Sequence, residues 1–231
     1  MTDNKISLRA AAITAGVAYL MMMGTPFAEF YVLEKLIVQG DMTKTANNIM
    51  AHEALFRYGM VGYLVNFIGD LIASWALYIL LKPVNENLSL LTALFRLVYT
   101  VISLAAILNL VTVLTLLNTV PYGAVFTPEQ IYAQVDLSFM AFRKGWSVAY
   151  LFFGIHLWLL GYLIIKSKYI PGIIGWLLIV AGSGWLIDNL KPLLFPDFTI
   201  NFIFIMITGM GELVFTFWLW IRGWKIPEPK L

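Results

Sequence analysis

The stretch GWSVAYLFFGIHLWLLGYLII, residues 145–165, decides the fold class of this chain. At 1.5 Å per helical residue, roughly 20 residues cross a bilayer core about 30 Å thick. The only histidine of the run, His156, lies close to its centre and therefore near the predicted membrane midplane. A polar side chain at that depth is costly and usually has a partner. The stretch therefore predicts a transmembrane helix with a buried, partnered histidine.

The composition extends this interpretation to the whole chain. Of its 231 residues, 61% are hydrophobic and 12% are charged, and the mean hydropathy is +0.83. Soluble domains are about 45–50% apolar and about 25% charged, so a multi-pass membrane protein is expected. The basic residues are spread thinly through short connections, and we expect no nucleic-acid partner. The absence of cysteine excludes disulfides, thiolate metal sites and cysteine nucleophiles.

Six apolar runs predict an all-α integral membrane protein, a bundle of about six transmembrane helices in a single domain over residues 1–231. The first run is too long for the apolar core of a signal peptide, about 7–15 residues, so we expect a retained helix. The amphipathic stretch PEQIYAQVDLSFMAFRK, residues 128–144, predicts a short interfacial helix before the fourth span, with Phe139, Met140 and Phe142 on its apolar side. The predicted spans are about 10–33, 54–81, 89–117, 145–165, 171–190 and 200–221.

Lysine and arginine placement predicts the orientation, because cytoplasmic loops carry an excess of basic residues. The predicted inner side includes Lys82, Lys166, Lys168, Arg222 and Lys225, and both termini then lie in the cytoplasm. The outer basic residues lie mostly in longer loops: Lys35, Lys44, Arg57, Arg143, Lys144 and Lys191. Small residues also predict close helix contact along the fifth run, at Gly172, Gly175, Gly182 and Gly184.

Polar residues inside the runs are the candidate functional groups. Asp70, His156 and Glu212 fall at similar depths in the second, fourth and sixth runs, and Asn66 shares a helix stripe with Asp70. Lipid offers no hydrogen bonds, so these groups should face inward, where such residues bind ligands or relay protons. With the outer polar residues they predict a cavity that narrows at the midplane and opens outward. The candidates are Asp70, His156, Glu212, Glu29, Asn66, Arg96, Asn109 and Asp188.

Each candidate also has a structural interpretation. Arg96 lies a turn or two below Asp70 in depth, so an ion pair between the second and third spans competes with any catalytic role. His156 has no polar neighbour on its own helix face, so a side-chain partner must come from another helix, and hydrogen bonding is favoured over metal ligation. Glu212 has no cation at its depth on its own helix, which favours function, but the surrounding TGMGE also fits a closely packed helix segment.

One histidine and two carboxylates are chemically reasonable metal ligands. No HxxxH or ExxH pair supports such a site, so we expect no metal or other cofactor. His52 is predicted outside the bilayer, which disfavours haem between two histidines. The chain has no GxSxG, P-loop or dinucleotide motif, and an enzymatic activity is left open but disfavoured.

Several segments carry a family resemblance that covers nearly the whole chain: GTPFAEFYV, TANNIMAHEALFRYG, LYILLKPVNENLSLLTALFRLV, FFGIHLWLLGYLIIKSKYIPGIIGWLLIVAG and GWLIDNLKPLLFPD. They resemble the bacterial membrane proteins grouped as domain of unknown function 4386. The resemblance implies a multi-pass protein of the bacterial cytoplasmic membrane with about six helices, and it implies no activity. The residues that carry the resemblance include Glu29, Arg57, Arg96, His156 and Asp188, which are therefore candidates for a site shared by the family.

Three functions remain open on these grounds. The first is a protein that binds a small molecule or lipid, in one form proton-coupled, in a cavity floored by Asp70, His156 and Glu212. The second is a metal-assisted intramembrane enzyme. The third is a structural or accessory membrane subunit whose buried charges only fix helix packing. The expected partners are the lipid bilayer and, for the first function, a small-molecule or lipid ligand.

Overall fold

The computed structural model describes residues 6–118, 125–195 and 202–226, without the side chains of 192–193 and 202–208. Within these ranges the chain is helical and no residue is in a strand, which confirms the all-α prediction. Short helical segments at Gly24–Pro26, Phe27–Leu33 and Glu34–Leu36 follow the first helix, and the middle one is a π-helix. The longer helices are α1 (Leu8–Met21), α2 (Met42–Ala51), α3 (Glu53–Leu81), α4 (Glu86–Asn118), α5 (Pro128–Lys166), α6 (Gly172–Leu194) and α7 (Phe202–Arg222).

Within the described part of the chain, five helical stretches are long and apolar enough to cross a membrane, and they match the first five predicted runs. The sixth predicted run coincides with α7, whose first side chains lie outside the described part. The chain is therefore a multi-pass membrane protein, while the count of six spans, the orientation of the termini and the particular membrane stay predictions. The five stretches among the described residues are Leu8–Leu36, Glu53–Leu81, Glu86–Asn118, Pro128–Lys166 and Gly172–Lys191.

The predicted interfacial helix is not a separate element, because α5 runs unbroken for 39 residues. A capping box begins it: the Thr127 backbone N–H donates to Gln130 Oε1 at 2.9 Å, and the Gln130 N–H donates to Thr127 Oγ1 at 3.4 Å. Pro128 stands at the first helical position, where its missing N–H costs nothing. No proline follows before Pro171, so nothing breaks the helix. The location of its first turns at the membrane interface stays a prediction.

The chain divides into two compact units, each assembled from separate segments. The first unit comprises residues 1–20, 69–100 and 148–231, and the second comprises 21–68 and 101–147. Residues of α3, α4 and α5 are divided between the two units. The single domain predicted over residues 1–231 stays a prediction.

In the second unit, aromatic side chains of α5 pack on α3. Phe139 and Phe142 are 0% and 3% exposed, and their rings lie 6.3 Å from Phe56 and 5.7 Å from Tyr63 respectively. The apolar side of residues 128–144 therefore contacts protein at these two positions, while Met140 is exposed. A neighbouring helix therefore buries two of the three side chains that the sequence predicts on the apolar side of this stretch.

In the first unit, glycines bring α5 and α6 into backbone contact. A Cβ added to Gly182 would lie 2.6 Å from the Gly154 carbonyl oxygen, and one added to Gly154 would lie 2.9 Å from that of Gly182. Gly175 makes a similarly close approach to Gly161. The prediction of close contact is confirmed for Gly175 and Gly182 and is wrong for Gly172, which has nothing within 4 Å of an added Cβ.

The connections at one end of the first unit are short and well anchored. Pro83 follows the end of α3, and Asn85 caps α4 by accepting the Leu88 N–H at 2.9 Å. Between α5 and α6, the Tyr169 hydroxyl donates to the Leu80 carbonyl at 2.6 Å. Burial raises the pKa of Tyr169 to about 12, so this phenol keeps its proton to a higher pH than an exposed tyrosine.

Candidate functional site

Arg96 on α4 is the centre of a buried polar cluster in the first unit. Its side chain is 1% exposed, and that of Asp70 on α3 is 2% exposed. The Arg96 Nε and Nη2 donate to Asp70 Oδ1 at 3.1 and 2.7 Å. Its Nη1 donates to the hydroxyl of Tyr19 on α1 at 3.2 Å. The predicted ion pair between the second and third spans is therefore confirmed, and it includes a third helix.

His156 on α5 joins the same cluster from a fourth helix. Its Nε2 lies 3.2 Å from Arg96 Nη1, and its Nδ1 lies 2.9 Å from the carbonyl oxygen of Thr92. A guanidinium only donates, so Nε2 accepts, and Nδ1 carries the proton that it donates to Thr92. The imidazole is thus neutral with both nitrogens engaged, as the prediction of an interhelical partner requires. A metal ion at Nε2 would have to displace Arg96.

We call Tyr19, Asp70, Arg96 and His156 the arginine cluster. The guanidinium carbon lies 5.2 Å from the Tyr19 ring centroid, within the range of a cation–π contact. The cluster pairs a buried cation with a carboxylate, and neutral acceptors engage the two donors of Arg96 Nη1. Burial of charge is tolerated under these conditions, and the arrangement holds α1, α3, α4 and α5 to one geometry.

Four aromatic side chains lie beside the arginine cluster, and we call them the aromatic layer: Tyr99, Tyr150, Phe153 and Trp185. The Phe153 ring lies 5.7 Å from the His156 ring and 4.7 Å from that of Tyr99. The Tyr150 and Trp185 rings stack with centroids 4.2 Å apart and planes inclined by 19°. Trp185 also packs edge-on against Phe153 at 6.1 Å, so the four rings form one continuous layer.

Glu212 on α7 contacts this layer through its carboxylate. Oε1 accepts the indole N–H of Trp185 at 2.7 Å, and the side chain is half-buried. Within the described part of the chain, no basic side chain forms an ion pair with Glu212. Asp70 is therefore held by a cation, whereas Glu212 is held by a neutral donor. The surrounding TGMGE is closely packed at Gly211, where an added Cβ would lie 2.7 Å from the Leu177 carbonyl carbon, but not at Gly209.

Three other predicted site residues lie in the second unit. Glu29, on the π-helical segment, accepts the hydroxyl of Tyr63, and π-helical turns are frequent at functional sites. The Asn109 side chain donates to the Ala106 carbonyl of its own helix at 3.0 Å. Asn66 is 4% exposed. These three therefore belong to a different compact unit from the arginine cluster, and the outward-opening cavity stays a prediction.

Two further candidates lie apart from these contacts. Asp188 is half-buried on α6 in the first unit. Arg57, which belongs to the family resemblance, is exposed and pairs with Glu53 at 2.6 Å on its own helix. Among the residues that the structure describes, no three His, Cys, Asp or Glu side chains are grouped so as to hold a metal ion.

Sequence reasoning missed Tyr19, Thr92 and Trp185. Tyrosine and tryptophan usually mark the ends of membrane spans, so an aromatic residue with a polar tip deep in an apolar run signals a buried hydrogen bond. Tyr19 and Trp185 carried that signal. Thr92 contributes its backbone carbonyl. Every residue has such a carbonyl, so the residue type at position 92 could not predict this hydrogen bond.

Comparisons with known proteins agree with a membrane protein of undefined activity. Residues 14–223 match the family described as "Domain of unknown function (DUF4386)". A protein of Archaeoglobus fulgidus described as "Uncharacterized protein" is 37% identical over 171 residues, which cover 74% of this chain and 87% of that protein. No solved structure matches the chain. Neither description names an activity, so any function has to be argued from the geometry.

Proposed function

Since the chain belongs to the family described as domain of unknown function 4386, as its resemblance predicted, we propose that it is a membrane-embedded binding protein whose ligand is held by Glu212. The ligand is a small molecule or lipid that carries a cationic or hydrogen-bond-donating group. Proton coupling, if it accompanies binding, runs through the same carboxylate, because Asp70 and His156 are engaged by Arg96.

The observation that carries this proposal is that, among the described residues, Glu212 accepts from a neutral indole and not from a cation. A carboxylate accepts about four hydrogen bonds, and the Trp185 indole at 2.7 Å supplies one. Asp70, by contrast, already faces the guanidinium of Arg96. A ligand that brings a positive charge or donors would complete the surroundings of Glu212 in the way that Arg96 completes those of Asp70.

The aromatic layer narrows the class of ligand. The stacked rings of Trp185 and Tyr150 stand beside the carboxylate. Aromatic faces attract organic cations, with about 0.5–2 kcal/mol for each contact. An alkylamine combines the ammonium that the carboxylate attracts with a chain that suits the apolar surroundings, and it is therefore the ligand class that we propose.

Titration with dodecylamine, followed by native mass spectrometry of the detergent-solubilised protein, tests the proposal. The Glu212→Gln variant keeps an acceptor for Trp185 and removes the charge. Because hydrogen bonds to charged groups are worth about 1.5–3 kcal/mol, we expect affinity to fall at least about tenfold. Glu29→Gln is the matched control, since Glu29 also accepts from an aromatic side chain, Tyr63, and this variant should bind like the wild type. Equal affinity in all three proteins would refute the assignment.

A structural or accessory subunit is the second candidate, and the arginine cluster favours it. Four helices meet at Arg96, which contacts Tyr19, Asp70 and His156. Such a role predicts that Glu212→Gln has no effect on any ligand, while the protein co-purifies at fixed stoichiometry with another membrane protein. The third candidate, the metal-assisted enzyme, is weakened because Arg96 and Thr92 engage both nitrogens of His156.

A further inference from the structure

Two adjoining cavities lie at the end of the first unit where α5 and α7 end. The first, about 530 Å³ in volume, is lined by the loop between α3 and α4 and by the end of α5. The second, about 460 Å³, is lined by the later part of the α5–α6 connection and the end of α7. Tyr169 lines both cavities, and its hydrogen bond to the Leu80 carbonyl holds this shared wall in place.

The charged side chains around these cavities are all basic. Lys166 and Lys168 line the first, and Arg222 and Lys225 line the second, without an acidic residue among the described lining. All four are exposed, so their charges are available to a partner. We call them the basic rim. A site with four positive charges and no counter-charge among its described lining residues fits an anion.

Aromatic residues beside the basic rim fit a lipid better than a free ion. Tyr162 lines the first cavity and Trp218 lines the second. The ammonium groups of Lys166 and Lys225 lie 5.7 and 4.7 Å from the ring centroids of Tyr162 and Trp224. Tyrosine and tryptophan concentrate at the headgroup level of a bilayer, where one end of the ring is wet and the other apolar. Both cavities also open at the ends of predicted membrane spans.

A neighbouring groove provides an internal comparison. It is about 630 Å³ in volume, shares Pro83 with the first cavity, and is lined by Trp75, Lys82 and Glu86 among others. There the one lysine pairs with the one glutamate at 2.8 Å. Glu86 also raises the pKa of Lys82 through their hydrogen bond, which agrees with a satisfied pair. The groove is therefore comparable in volume and also lined by aromatic residues, but its described lining has no unmatched positive charge.

Helix dipoles do not account for the basic rim by themselves. Cations favour the last turn of a helix, and Lys166 and Arg222 occupy the last positions of α5 and α7. Lys168 and Lys225 lie two and three residues beyond those helix ends, outside the last turns themselves. Lining of a cavity wall is a property that the dipole does not explain.

We propose that the basic rim binds the headgroup of an anionic phospholipid. The phosphate lies against Lys166, Lys168, Arg222 and Lys225, with Tyr169 between the two pairs, and the acyl chains follow the apolar helix surfaces. Basic pockets between helices on the cytoplasmic side are a known means of holding such headgroups. This site is separate from Glu212 and does not depend on the function proposed for that residue.

The test compares phosphatidylglycerol with phosphatidylcholine, added to detergent-solubilised protein, by native mass spectrometry. The two lipids share chains and phosphate but differ in net charge, and we expect phosphatidylglycerol to bind at least about tenfold more tightly. The double variant Lys168→Gln/Lys225→Gln should bind it about 25-fold more weakly, at roughly fivefold for each basic residue. The single variants should each lose about fivefold, which preserves the test if the double variant does not fold.

The matched control is Lys44→Gln/Lys82→Gln, which removes the same charge from two lysines that already have acidic partners. It should bind phosphatidylglycerol within about twofold of the wild type. An equal loss in both double variants would overturn the proposal in favour of general charge attraction. Inorganic phosphate forms the last arm: if it displaces the lipid at equal concentration, the rim binds a soluble anion and the headgroup assignment is wrong.

Discussion

Asp70 and Glu212 are both carboxylates in the middle of apolar runs, but their surroundings differ in kind. Asp70 is 2% exposed and accepts two hydrogen bonds from Arg96. Glu212 is half-buried and accepts one from the neutral indole of Trp185. The first carboxylate belongs to a charge pair within the protein. The second has a neutral partner, and we propose that a ligand supplies the positive charge there. Two carboxylates at similar predicted depth therefore suit different roles, and the side chain that each one contacts determines the role.

Asp70→Leu is expected to have the largest effect on stability. It leaves the Arg96 guanidinium buried without its carboxylate, and breaking a buried pair costs about 3–5 kcal/mol. The free energy of unfolding, from titration of the detergent-solubilised protein with sodium dodecyl sulfate, measures the loss. The double variant Asp70→Leu/Arg96→Leu should recover at least half of it, because no charge is then left buried. If the double variant were as unstable as the single one, the charge pair would not be what holds the cluster.

Gly182→Val should come next, and it should affect both regions at once. Its Cβ would lie 2.6 Å from the Gly154 carbonyl oxygen, so α5, which carries His156, and α6, which carries Trp185, must move apart. Overpacking of this kind costs about 1–3 kcal/mol. The same unfolding titration measures it, and dodecylamine affinity should fall as well. Gly172→Ala is the control, since an added Cβ there meets nothing within 4 Å. Similar losses in the two variants would show that the helix contact is not the cause.

His156→Phe separates the arginine cluster from the Glu212 site. The ring volume is nearly kept, but Arg96 Nη1 loses its acceptor at His156 and keeps the one at Tyr19. A buried N–H without its acceptor costs about 1–3 kcal/mol. The unfolding titration should show this loss, while dodecylamine affinity stays within about twofold, because the role of His156 in the cluster is structural. His156→Gln, which restores an acceptor, should recover part of the stability. A large loss of affinity with unchanged stability would instead make His156 a ligand-binding residue.

Glu212→Gln should have the smallest effect on stability. Glutamine still accepts the Trp185 N–H, so the change in the free energy of unfolding should stay below about 1 kcal/mol. The same variant should show the largest loss of dodecylamine affinity in the series. Asp70→Asn, which also replaces a carboxylate by an amide, provides the comparison and should show the reverse, a large loss of stability. If the two amide variants behaved alike, the distinction between the two carboxylates would fail.

The sequence predicted the part of the site that depends on spacing and charge. Arg96 lies within reach of Asp70 on an adjacent predicted span, and opposite charges in an apolar medium pair because isolation is costly. The absence of polar neighbours on the face of His156 likewise required a partner from another helix. The sequence did not predict which groups complete the cluster, because these groups are distant along the chain. Tyr19 lies 77 residues before Arg96, and Thr92 lies 64 residues before His156.

The amino-acid sequence by itself determined that this protein is helical and suited to a membrane. Apolar runs of spanning length have no other way to satisfy their backbone groups in lipid, so composition and period are sufficient. Its tertiary structure alone decided that residues 128–144 continue into a 39-residue helix and bury Phe139 and Phe142 on α3. It also decided that Asp70 meets a cation while Glu212 meets an indole. These outcomes depend on which helix faces which, and a one-dimensional pattern specifies a helix face but not its neighbour.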